Sequence, residues 1–152
     1  MINATQNYLM ITLFYAMDQG KNHYTRSSID KFLENLLKYH LVSIKRRWLF
    51  YCLRSLQDQH YISRRPRYDH DHNGLIRQYS SLRSFTVKGV LWLMSNGVQQ
   101  AARLLRTMKD YWKREDGRFP TKDDFQKGYS PSQHPNIPKR LKQLLEGMLT
   151  SI

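Results

Sequence analysis

A mainly helical chain carrying one small β-hairpin, an α+β arrangement, is the fold class this sequence predicts. Three observations predict it. Apolar residues recur at three- and four-residue spacing through most of the chain, the period of a helix with one buried face. Between Tyr61 and Phe85 that period gives way to alternation on either side of a polar turn, the pattern of two paired strands. Near the end, Gly117, Pro120, Gly128, Pro131 and Pro135 break the chain repeatedly and set a last helical stretch apart.

The elements follow in order. Residues 4–18 form a first helix, with Leu9, Leu13 and Met17 on one face and Met10 and Phe14 beside them. Tyr8, Ile11 and Tyr15 extend the apolar surface nearly all round, so this helix is central or also meets a partner subunit. Gly20, Lys21 and Asn22 end it, and His23-Tyr24-Thr25 can form a brief strand. Ser27 or Ser28 caps a second helix, with Asp30 in its first turn and Ile29, Phe32, Leu33, Leu36 and Leu37 as its apolar stripe. After the Leu41-Val42 link, Ser43 caps a third helix reaching about Gln59. Its inward face is read as Ile44, Trp48, Tyr51, Cys52, Ser55 and Leu56, leaving Lys45, Arg46, Arg47, Phe50 and Arg54 elsewhere on its circumference.

Tyr61 to Tyr68 reads as a strand in which Pro66 removes one ladder donor, so it is an edge strand or its frayed end. Asp69 to Gly74 is a polar turn. Leu75 to Phe85 returns, with Leu75, Arg77, Tyr79, Ser81, Arg83 and Phe85 on one side. Thr86 caps a fourth helix carrying Val87, Val90, Leu91 and Met94, which Asn96-Gly97 ends or kinks. Residues 98–113 place Ala101, Leu104, Leu105, Met108 and Trp112 in a stripe. Residues 114–136 read as a tether, and Pro138 starts a C-terminal amphipathic helix over 137–152, with Ile137, Leu141, Leu144, Leu145, Met148 and Leu149 as its stripe.

Charge narrows the partners. The 152 residues carry 25 basic and 12 acidic side chains, a net +13. So large an excess opposes compaction unless a polyanion neutralises part of it. Ten of the cations lie between Ile44 and Lys88, against Asp58, Asp69 and Asp71. The single Cys52 permits no disulfide within the chain, so a reducing cytoplasm is the expected compartment, with the protein on the nucleoid. The apolar run from Tyr8 to Met17 lacks the flanks of a signal peptide and is shorter than the roughly 20 residues of a membrane span, so no membrane partner is expected.

Helix, short strand, helix, helix, strand, basic turn, strand and helix, in that order, resemble the winged-helix form of the helix-turn-helix superfamily. The resemblance covers residues 5–95 and rests on the helix pair 28–39 and 43–59, the Tyr61–Phe85 hairpin and the Ser84-Phe85-Thr86-Val87-Lys88-Gly89-Val90 join. It implies a DNA-binding domain over residues 1–97, with the third helix in the major groove. There Ser43, Lys45, Arg46, Arg47 and Arg54 would meet DNA, while Arg64, Arg65, Arg67 and Arg77 of the hairpin reach backbone or minor groove. It implies a transcriptional regulator of double-stranded DNA acting as a homodimer, paired through the first helix and the 98–113 stripe. The alternative is an accessory factor of a replication or mobile-element machine that holds DNA, including single strands, and recruits a larger protein through residues 137–150.

Other chemistries are poorly supported. Three cations at the start of the third helix oppose its dipole, which favours a functional reason for them. Trp48 and Tyr51 are read as core rather than as base-stacking rings, and Tyr68 and Tyr79 stay open between contact and structure. Asp69-His70-Asp71-His72 is read as a polar hairpin tip and not a metal site. No phosphate-binding glycine loop is present, acidic residues are unclustered, and Cys52 faces the core by helical phase, so no enzyme, cofactor or metal is expected.

Overall fold

A computed structural model describes residues 2–19, 23–129 and 139–150. Several of its helices begin where side chains can satisfy their first amide groups. Helix α1 (Ala4–Gln19) starts with a reciprocal pair: the Gln6 N–H donates to Asn3 Oδ1 at 2.8 Å, and the Asn3 N–H to Gln6 Oε1 at 3.1 Å. Helix α2 (Ile29–His40) is capped by Ser28, whose Oγ accepts from the Lys31 N–H at 3.2 Å. Helix α3 (Arg46–Asp58) has Lys45 at its N-cap and no side-chain cap bond. The sequence placed Ser43 there; residues 43–45 instead belong to an extended link, so Ile44 falls outside the helix.

Strands β1 (Ile62–His70) and β2 (Ile76–Phe85) pair antiparallel, from Ile62 opposite Phe85 to His70 opposite Ile76. The register shifts between Arg65 and Arg67, so Pro66, which has no N–H to give, sits in a bulge within the strand rather than at a frayed end. The strand expected at residues 23–25 is a single bridge: the Thr25 N–H donates to the Arg83 carbonyl at 2.8 Å, and the Arg83 N–H returns to Thr25 at 3.1 Å.

Helix α4 (Val87–Ser95) is capped by Thr86, which accepts from the Gly89 N–H and donates to the His60 carbonyl at 2.5 Å. Helices α5 (Ala101–Trp112), α6 (Lys122–Gln126) and α7 (Lys139–Thr150) complete seven helices and one hairpin among the described residues. No described helix is long and apolar enough to cross a membrane.

One core joins these elements. Leu9, Leu13, Phe32, Leu36, Leu49, Leu56, Phe85, Val90, Leu105, Met108, Phe125 and Leu145 are buried together. Much of the two expected pairing surfaces therefore lies inside. Ala101, Leu105, Met108 and Trp112 of α5, together with Leu9, Met10 and Leu13 of α1, pack within this core, while Tyr8 and Tyr15 of α1 stay exposed. Leu145 and Met148 of α7 are buried in the same core. The expected tether is also shorter. Phe119, Pro120 and Phe125 are buried, and α6 opens on a reciprocal cap between Thr121 and Asp124. Short apolar anchors spaced between Gly and Pro hold this segment down without helical periodicity. The expected ends at Gly20 and Pro138, and the Ile137 contact, lie outside the described residues.

His23, in the link before α2, ties that link to α5 and makes stability depend on pH. Its Nε2 is 2.6 Å from Thr107 Oγ1, its ring lies 3.9 Å from that of Tyr111, and Nδ1 is buried without a partner among the described residues. Burial, then the Arg114 cation, lowers its pKa from 6.5 to about 4, although Asp110 pulls the other way. The unfolded chain therefore takes up a proton below pH 6.5 that the folded chain refuses until about 4. The contribution is fully present above pH 6.5 and is lost as pH falls through that window. His40, lowered by burial beside Tyr8, adds in the same direction. Thermal melts from pH 7 to pH 4 should show a loss at His23 of about 1–2 kcal/mol, after allowing for water around the half-exposed ring. A His23→Gln variant should flatten that slope. An unchanged slope would remove His23 from the acid response.

Candidate nucleic-acid interface

The exposed face of α3 is set by where its core face lies. Leu49, Cys52, Leu53 and Leu56 are buried. Trp48 and Tyr51, expected inside, stand 43% and 59% exposed, their rings stacked 4.9 Å apart at 16°. The helix is thus turned by about one residue's step, roughly 100°, from the expected phase. The three leucines carry no polar group and fill the core completely, which outweighs burying rings that hold N–H and O–H groups. The turn brings Arg47 and Arg54 to the outward pole beside Tyr51. Cys52 does face inward, and burial pushes its thiol pKa up.

The hairpin supplies the other wall. Arg64 and Arg83 are directly opposite in the register and so share a face, and Arg64 Nε donates to Ser81 Oγ at 2.9 Å. That face looks toward α3. Arg47, Arg54, Arg64 and Arg83 line one groove of about 380 Å³ with Phe50 and Tyr51, and no carboxylate lines it. A second cleft of about 300 Å³ continues from it toward the starts of α2 and α3, sharing Phe50, Arg64 and Arg83.

Burial first, and then the Arg64 charge, lower the Arg83 pKa to about 10. The side chain is only 5% exposed and lies over the Phe32 ring at 5.8 Å. It stays cationic at neutral pH. The sequence counted Arg83 only as one of the ten cations between Ile44 and Lys88; it is buried and lines the groove. Lys88 is similarly drawn in, donating to the Gln59 carbonyl at 2.8 Å and lying 4.5 Å from the Tyr61 ring centroid.

The remaining site residues scatter. Arg46 is taken by Asp30 at 2.5 Å and lies over Phe50. Arg65 points to the opposite face of β1, where Nη1 donates to the Gly117 carbonyl at 2.9 Å over the Phe119 ring. Arg67 donates back to the Ser80 carbonyl at 2.6 Å. Arg77 pairs with Asp71 at 2.7 Å at the hairpin tip. Ser43 and Lys45 are exposed in the link before α3. The nine named residues therefore divide: Arg47, Arg54 and Arg64 converge, Arg46 edges the adjoining cleft in an ion pair, and Arg65, Arg67 and Arg77 are held by other groups. Phe50, Tyr51 and the buried Arg83 are the groove residues the sequence did not assign. No protein-family model matches this sequence, and no curated protein matches it.

Proposed function

We propose that this chain binds duplex DNA and acts as a regulator, with α3 entering the major groove and the β1–β2 hairpin lying along the flanking backbone. The convergence of Arg47, Arg54 and Arg64 on a groove free of carboxylates carries this reading. Cations from two elements gathered on one concave surface can meet phosphates on either side of a groove, which a single solvated helix face does less well. The element order supports a winged-helix description of residues 1–97, and arginine on α3 can fork to guanine O6 and N7. Fluorescence anisotropy with a labelled duplex of mixed sequence tests the reading. Binding that weakens steeply from 50 to 200 mM salt is expected, and a duplex left free at 50 mM overturns it.

A second reading is favoured by one observation, the exposed Trp48–Tyr51 stack beside these arginines. Rings next to cations hold unpaired bases, and each stacked base contributes about 1–3 kcal/mol. A Trp48→Ala/Tyr51→Ala variant should then lose roughly 10-fold or more in affinity for a single strand while keeping its affinity for duplex. Equal losses on both substrates would mean that the rings only support α3. The accessory-factor alternative was drawn on the last helix, whose Leu145 and Met148 are turned into the core.

A further inference from the structure

The chain buries a cation that nothing in the described residues neutralises. Arg83 is nine-tenths buried, and among the described residues its guanidinium pairs with no carboxylate and makes no hydrogen bond. The antiparallel register then sets a second guanidinium, Arg64, directly against it. Burying an unpaired charge beside a like charge is unfavourable, and methionine or leucine could occupy the place. The fold nevertheless fixes Arg83 from both edges, pairing its backbone with Arg64 on one side and Thr25 on the other.

Arg83 lines the cleft that runs to the start of α2. Ser27 and Ser28, at the N-terminus of this 12-residue helix, line it as well. The helix end carries partial positive charge and favours an anion. Asp30 is the carboxylate on this cleft, and Arg46 already occupies it. Two guanidiniums, one helix N-terminus and the Ser81 hydroxyl thus surround about 300 Å³ of space with one neutralised acid.

We propose that this cleft is a seat for one phosphoryl group, gripped by Arg83 from below and Arg64 from the side. The proposal deepens the DNA-binding reading, which it rests on only for the expected source of the group, a backbone phosphodiester. A free phosphate or nucleotide offers the same chemistry.

Thermal melts of the full chain in sodium phosphate and in sodium chloride at matched ionic strength, with duplex affinity measured alongside, test it. For a site of about 10 mM affinity, 50 mM phosphate should raise the melting temperature by about 2–4 °C over chloride. Arg83→Met should abolish that difference while melting in chloride at or above the wild-type temperature. Arg64→Gln, on an exposed side chain, should shrink the difference and serves if Arg83→Met does not fold. A variant that also weakens duplex binding several-fold assigns the phosphoryl group to DNA. One that loses the phosphate effect but keeps duplex affinity assigns it to a free ligand. The site is overturned if phosphate and chloride act alike and neither variant changes duplex affinity, in which case duplex binding by the wild type still upholds the DNA reading. A phosphate effect in a chain that binds no duplex keeps the site and removes that reading.

Discussion

Gly89→Ala is expected to destabilise the fold by about 3 kcal/mol, lowering the melting temperature by roughly 6–12 °C in a calorimetric or circular-dichroism melt. The sign is the informative part. Within a helix, alanine is ordinarily better than glycine by about 1 kcal/mol. A Cβ on Gly89, however, would lie 2.1 Å from the Tyr61 carbonyl oxygen and 3.0 Å from Phe85 Cδ1. The first atom is backbone and cannot rotate away. Tyr61 is also held there, since its carbonyl accepts from the Thr86 N–H and hydroxyl, each at 3.2 Å. Relief requires α4 to retreat from the hairpin base, breaking those bonds and loosening the mount that holds Arg64 against the groove. A variant that melts at or above the wild-type temperature would show that α4 and the start of β1 are not in this contact.

Most of this architecture was legible because its signals were local. The Ile29–Leu37 stripe produced α2, and Ile29, Phe32 and Leu36 are buried as the spacing requires, although Leu37 is exposed. The change of period at Tyr61 produced the hairpin, and Thr86 caps α4 as read. The phase of α3 was not legible. Two stripes compete along it, one of aromatics and one of leucines, and periodicity alone does not rank them. Ranking them needed the neighbouring helices, which accept the leucines. Residues 114–129 were misread because three buried anchors, Phe119, Pro120 and Phe125, carry no period. Arg83 had left a trace. Alternation on the second strand placed it on the same side as Phe85, and the base of a strand that buries Phe85 buries its neighbour two residues back as well. Bulk charge hid this, because a count treats every arginine as exposed.

The same distinction between counted and placed cations governs the largest effect expected on binding. Each phosphate neutralised adds about 0.9 to the slope of log affinity against log salt concentration. Arg47→Ala/Arg54→Ala removes two cations from the groove without touching an ion pair or a buried contact. The double variant should therefore lower the slope by about 2 and weaken duplex binding by roughly 10- to 100-fold at 150 mM salt, with little change in melting temperature. Arg65→Ala should behave oppositely. Its guanidinium is engaged with Gly117 and Phe119 on the far face of the hairpin, so the salt slope should stay put while the 113–121 segment loosens. Arg77→Ala should also matter little, because Asp71 already cancels that charge. Net charge predicts the same slope loss for every arginine removed. If Arg65→Ala flattens the slope as much as one member of the Arg47–Arg54 pair does, the duplex lies across the other face of the hairpin, and the groove beside α3 is not its seat.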